Sequence, residues 1–239
     1  MRRRPAFAWA ATRRLGRRPY SEDVLPAAER PDPGPLTWRT GSTIGPRPYG
    51  TAERPHPTLS FGGASEAAER VAAAEADVQL FWGEPQDGIA ERIARLKELS
   101  EQAGRRHVPL EYGLRITTVV RDTTEEAWRA AEEKVAKMAA DAGEIDTWTG
   151  NRRTAVGQRR LLDLTERGEV LDTCLYTAPG RFGGGGAATT WLVGSPDDVA
   201  AALNAYRALG ITHFVLSDTP YKEETRRIGD QLLRRLREV

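Results

Sequence analysis

From Thr58 onward, apolar positions along the chain recur with two alternating periods. Short runs dominated by β-branched and aromatic residues, TLSFGG (58–63), DVQLFWG (77–83), YGLRITTVVR (112–121) and ITHFVLSD (211–218), read as strands. Between and after them the apolar spacing widens to three or four residues. SEAAERVAAAEA (65–76) is predicted to be a helix with Ser65 as its N-cap and Glu66 in the first turn. Pro85 opens a second helix, in which Ile89, Ile93, Leu96 and Leu99 line one face up to Gly104. An Ala/Glu-rich segment, 124–143, predicts a third. Ser195-Pro196-Asp197-Asp198 supplies a serine cap, a proline at the first position and acids in the first turn of a fourth, which stops at Leu209-Gly210. Residues 222–239 form a last amphipathic helix, and residues 144–188 have no sustained period.

Strand followed by helix, four times over, predicts an α/β fold of parallel βα units. Chemistry in such folds gathers at the C-terminal ends of the strands. That directs attention to Gly62–Ser65, to Trp82–Pro85, to the neighbourhood of Arg115 and Thr117, and to residues 217–221.

Composition sharpens the domain picture. Ten of the fifteen prolines precede Thr58, in a segment crowded with arginine and without periodicity, so residues 1–53 are expected to be a poorly ordered arm and 54–239 the folded domain. Over 239 residues the bases (35) nearly balance the acids (34), so whole-chain charge gives no reason to invoke nucleic acid or an anionic membrane. The arginine-rich arm is read as a solvated tail rather than a phosphate grip. One cysteine forms no internal disulfide, three scattered histidines make a structural metal site poor, and no apolar run is long enough to cross a bilayer. A cytoplasmic protein is expected.

Each candidate carries two readings from the residues alone. The small residues Gly63, Ala64 and Ser65 before a helix aim free N–H groups at an anion, or simply make a tight turn. Trp82 at a strand end stacks on a flat ligand, or packs. Arg115 within an apolar strand calls for an anionic ligand, or is directed to the surface or paired with a helix acid.

Three stretches carry a family resemblance: RPHPTLSFGGASEAAERVAAAEADVQLFWGEP (54–85), GLRITTVVRDTTEEAW (113–128) and TTWLVGSPDDVAAALNAYRALGITHFVLSD (189–218). Together they resemble the C-terminal half of the luciferase-like flavin-dependent monooxygenases, nearest the alkanesulfonate monooxygenase branch. The resemblance implies a TIM barrel that takes reduced FMN from a separate reductase, activates O2 and oxygenates the carbon bearing a sulfonate. It places Gly63, Ala64 and Ser65 at the flavin phosphate, Trp82 beside the flavin pocket and Arg115 in the active site. The four consecutive glycines of RFGGGG fall where the family carries a mobile lid, here around 180–190, with Arg181 as its arginine. Thr117 stands where the branch has histidine, and Thr219 where it has tyrosine, with Tyr221 as a nearby stand-in. These differences suggest a sibling branch with another small organosulfur substrate.

Only four of the eight βα units of a barrel are evident. The expectation is either a truncated chain or a half-barrel that acts as a homo-oligomer or with a second chain completing it. Two other readings stand beside the monooxygenase: an oxidoreductase of the same fold using the deazaflavin F420, and a non-catalytic half-barrel that only pairs with another chain.

Overall fold

The computed structural model describes residues 36–37, 43–44, 57–105, 109–142, 156–182 and 189–237. The chain divides into two compact units, Met1–Pro57 and Thr58–Val239. In the first unit the described residues form one antiparallel pair, β1 (Leu36–Thr37) and β2 (Thr43–Ile44). The remainder of the expected N-terminal arm lies outside the described residues, as do the glycines 183–186 of the expected lid.

The second unit is built on four parallel strands in chain order: β3 (Ser60–Gly62), β4 (Val78–Trp82), β5 (Glu111–Val120) and β9 (Ile211–Ser217). Each pairs with the next, β3 with β4, β4 with β5 and β5 with β9. The sequence places a helix after each strand. α1 (Glu66–Glu75) starts at Ser65, whose hydroxyl accepts from the Ala68 N–H at 3.2 Å. α2 (Gln86–Gln102) follows Pro85, and α3 (Thr124–Ala142) follows β5. Past α3 lie α4 (Val156–Arg167), the short strands β6 (Val170–Leu171) and β7 (Leu175–Tyr176), and a 3-10 turn, Ala178–Phe182. Then β8 (Trp191–Gly194) leads into α5 (Pro196–Ala208), which has a complete capping box between Ser195 and Asp198.

After β9 the chain closes with α6 (Tyr221–Arg227), a π-helical segment (Ile228–Leu232) and α7 (Leu233–Arg237). The sequence predicts one continuous helix here. It also reads 144–188 as irregular, whereas the region holds a helix and a hairpin. α4 escapes the periodicity search because its inward positions, Gln158, Leu161 and Leu164, include a polar residue.

β8 belongs to no fifth barrel strand. Thr117 pairs with Trp191 on one edge of β5 and with Ser217 on the other, and β9 lies opposite β4 across Gly113–Arg115. β8 therefore occupies the same edge of β5 as β4 and continues where β4 stops. The Thr190 hydroxyl donates to the Gly83 carbonyl at this junction. β8 then pairs antiparallel with β7, and β7 with β6.

Because side chains alternate along a strand, the sheet has two distinct faces. Phe81, Leu114, Ile116, Leu192 and Phe214 point to the outer face and meet Ala72, Ile89, Ile93, Leu96, Leu203, Tyr206 and Ile228 from α1, α2, α5 and the π-helical segment. Trp82, Arg115, Thr117 and Val215 point to the inner, concave face. A second apolar cluster covers the C-terminal end of that inner face. There Val119, Trp191 and Val193 are packed by Ala127 and Ala131 of α3, with Trp128 set edge-on to Tyr176. A helix ring confined to the outside of the sheet is what βα units predict. α3 departs from it because its small Ala127 and Ala131 admit the helix against the indole of Trp191.

Along the rest of that face Trp82 and Arg115 are half-buried. Val215 is 45% exposed. Beyond it, the outer edges of β3 and β9 pair with no strand among the described residues.

Candidate functional site

The parallel register sets Trp82, Arg115 and Val215 side by side across β4, β5 and β9. One step further along β5, Thr117 lies beside Ser217. Arg115 is half-buried and makes no hydrogen bond or ion pair among the described residues. The carboxylate partner that an arginine in an apolar strand calls for is thus not found among them. Thr117, one of the expected substrate contacts, is 3% exposed beneath the Trp191 cluster.

Trp82 is half-buried against α4. A Cβ on Gly157 would lie 3.1 Å from the indole, so glycine there lets the helix backbone approach the ring. Gln158, the next residue, is buried and donates to the Gly180 carbonyl at 3.3 Å. The turn carrying Arg181 is therefore fastened to the helix that supports Trp82. The Arg181 side chain itself is exposed.

Gly63, Ala64 and Ser65 connect β3 to α1. A Cβ on Gly63 would fall 2.6 Å from the Ala68 Cβ, so only glycine fits beneath the first turn of α1. Ser65 caps the helix, and Glu66 and Ala67 hold the first amides of α1, which have no intrahelical acceptor. Both acids of the first turn are neutralised. Glu66 pairs with Arg70, and the buried Glu69 with Arg92 and Arg95.

Thr219 and Tyr221 follow β9. The Thr219 N–H donates to Asp218 at 2.7 Å. Tyr221 is 63% exposed at the start of α6 and makes no hydrogen bond or ring contact among the described residues. The structure thus gathers Trp82, Arg115 and Thr117, joins Arg181 to them through α4, and leaves Tyr221 apart.

Sequence reasoning missed the charged network behind this row. Arg92 donates to Glu69 at 2.9 Å, to Glu84 at 2.7 Å and to the Gly63 carbonyl at 2.8 Å, and its guanidinium lies 4.7 Å from the Phe81 ring centroid. Arg160 of α4 donates to the other Glu84 oxygen at 2.5 Å, and Tyr206 to the Glu84 carbonyl at 2.7 Å. The signal was present: Arg92 falls on the apolar stripe of α2, between Ile89 and Ile93. At the far end, Lys134 of α3 pairs with the buried Asp218. Burial pushes the Asp218 carboxyl above its ordinary range, and Lys134 opposes that shift without cancelling it.

This geometry can be set beside known proteins. The family described as luciferase-like monooxygenase matches residues 31–213. The chain belongs to that family. The match starts upstream of Arg54, where the sequence resemblance begins, and so takes in part of the arm.

Among solved structures, this luciferase-like chain is similar to DmoA from Hyphomicrobium sulfonivorans, with TM-score 0.57 and 20% identity over 78% of this chain and 42% of that one. It is similar also to the EDTA monooxygenase EmoA from Chelativorans sp. BNC1, with TM-score 0.57 and 15% identity over 89% and 54%. A third is the riboflavin lyase RcaE, solved with modified FMN and riboflavin, with TM-score 0.52 and 19% identity over 82% and 46%. The chain spans about half the length of these structures. The fold is accordingly the C-terminal half of a luciferase-like TIM barrel, a curled half-barrel sheet with its helices. Among the described residues no helix is long and apolar enough to cross a membrane.

Proposed function

We propose that this luciferase-like chain forms the reduced-FMN-binding half of a cytoplasmic monooxygenase that oxygenates a small organosulfur substrate of the alkanesulfonate kind. One observation carries the reading: Arg115, half-buried on the inner face directly beside Trp82, has no partner among the described residues. A guanidinium holds a sulfonate or similar oxyanion with two parallel hydrogen bonds.

The residues present suit FMN. The glycine-only cradle at Gly63 and the free amides at the start of α1 fit a phosphate. The indole of Trp82, backed by α4, fits a flat ring. Bound reduced flavin, delivered by a separate reductase, would supply electrons and the position for O2 activation. The chain's own part is to bind the phosphate through Gly63, Ala64 and Ser65, to flank the ring with Trp82, and to fix the anionic substrate through Arg115. Thr117 and Thr219 are assigned to the substrate region, and Tyr221, which stands apart from the row, is given no part in it. Arg181 and the glycines after it would cover the site and exclude water.

The complete activity is assigned to a closed barrel. The edges of β3 and β9, unpaired among the described residues, and the exposed Val215 support completion by a second copy or a complementary chain.

Anaerobic titration of the protein with reduced FMN, followed by flavin fluorescence, tests the reading. Saturable binding that is weakened in Ser65→Asp is the expected result. No affinity for reduced FMN, alone or with the completing chain, overturns it. Turnover that needs no O2 and prefers F420 would replace the monooxygenase by a hydride-transfer enzyme on the same fold.

A further inference from the structure

The peptide unit between Gly63 and Ala64 is held from one side only. Its carbonyl accepts from Arg92 Nη2 at 2.8 Å and from Gln79 Nε2 at 3.1 Å. Both donors are buried, with 5% of the Arg92 side chain exposed, and both reach the carbonyl from the packed interior of the domain. In a trans peptide the C=O and the following N–H point in opposite directions. The Ala64 N–H is thereby turned away from that interior, and it donates to no acceptor among the described residues.

Arg92 does not hold the carbonyl by chance alignment. Its Nε is fixed by Glu69 at 2.9 Å, one turn into α1, and its Nη1 by Glu84 at 2.7 Å, just after Trp82. The face of its guanidinium rests on Phe81. One rigid planar group thus reaches three acceptors on the ends of β3, α1 and β4. Lysine carries the same charge but has no planar fork with which to reach all three at once.

We infer that Arg92 is a positioning residue. It aims the Ala64 amide, and with it the turn entering α1, at an incoming phosphate, and it locks that turn to the segment bearing Trp82. The inference rests on the FMN reading above and adds how the phosphate donors are held in place. It predicts that Arg92 governs the phosphate's share of flavin affinity and leaves recognition of the ring unchanged.

Reduced riboflavin has the ring and lacks the phosphate, so the ratio of its Kd to that of reduced FMN isolates this share. The native protein should prefer reduced FMN by about tenfold or more, as a charged group with several amide donors implies. In Arg92→Lys, with its fold checked by circular dichroism and melting, the preference should shrink to within about threefold of unity while riboflavin affinity holds. Gln79→Met removes the second donor to the same carbonyl without touching the ion pairs. It should lower the ratio in the same direction by a smaller factor. A folded Arg92→Lys protein that keeps the native ratio overturns the inference and leaves the FMN reading standing. If Arg92→Lys fails to fold, an unchanged ratio in Gln79→Met overturns it. A native protein with no preference for FMN over riboflavin sinks both.

Discussion

Lys134 donates to both carboxylate oxygens of Asp218, at 2.6 Å each. The ammonium of an inner-face helix is thus joined to the residue that directly follows β9. Only 1% of the Asp218 side chain is exposed. The bond fastens α3 across the end of the sheet, where the row of Trp82, Arg115 and Val215 gives way to the cluster around Trp191.

Replacing Lys134 by Met should cost about 3 kcal/mol at neutral pH, the scale for stranding one member of a buried pair. The pH dependence has a definite sign. Burial sets the folded pKa of Asp218 above its unfolded value, so this group contributes stability below the unfolded pKa that is lost as pH rises through the folded one. Losing Lys134 removes the effects that hold the folded value down, which extends the loss to higher pH. Urea unfolding at about pH 4.5 and pH 7.5 should show the larger penalty at the higher pH. Equal penalties would mean that the pair is not ionic.

Arg115→Ala should change stability little, because it strands no partner among the described residues. Removing the guanidinium that fixes the substrate's anion should lower kcat/KM by about 10² to 10³. Reduced-FMN affinity should fall far less. Parallel losses of turnover, flavin affinity and melting temperature would assign Arg115 to the scaffold instead.

Asp198 ends the capping box of α5 and also accepts from Thr124. The Thr124 bond, then the Ser195 bond, hold its carboxyl below the ordinary range. Its stabilising contribution is present above the unfolded pKa and disappears as pH falls through the folded value. Asp198→Ala should cost about 1 kcal/mol at neutral pH. Acid unfolding curves for variant and native protein should converge toward low pH, and a gap that persists there would contradict the assignment.

Cys174 is buried, and burial pushes its thiol up to about 11. It should resist a thiol-specific reagent in native protein near pH 8 and react fully in denaturant. As the chain's single cysteine, it makes that reagent a reporter of opening around β7. Fast labelling of the native protein would show that the hairpin opens readily.

Much of the framework was legible from local patterns. Ser65 and the Ser195-Asp198 box mark helix starts through their own chemistry, and β-branched runs such as RITTVV announce strands. The site was legible only in part. Trp82 and Arg115 come together because two strands pair in one register, which no local window encodes. Arg92 stood in plain view on an apolar stripe, but its acceptors Glu69 and Glu84 are distant in sequence, and pairing is what makes it informative. The inward placement of α3 had no local signal, since Ala127 and Ala131 suit either side of a sheet.

The replacement of β4 by β8 along one edge of β5 also bears on how the domain assembles. The distal half of β5 pairs with Trp191–Gly194 on one edge and, through Ile116 and Thr117, with Leu216 and Ser217 on the other, segments that come late in the chain. Such distant pairings carry a high loop-closure cost and slow the search for the native state. The first three strands and their helices are local enough to associate early. The wall that carries Thr117 is complete only once those last segments have paired.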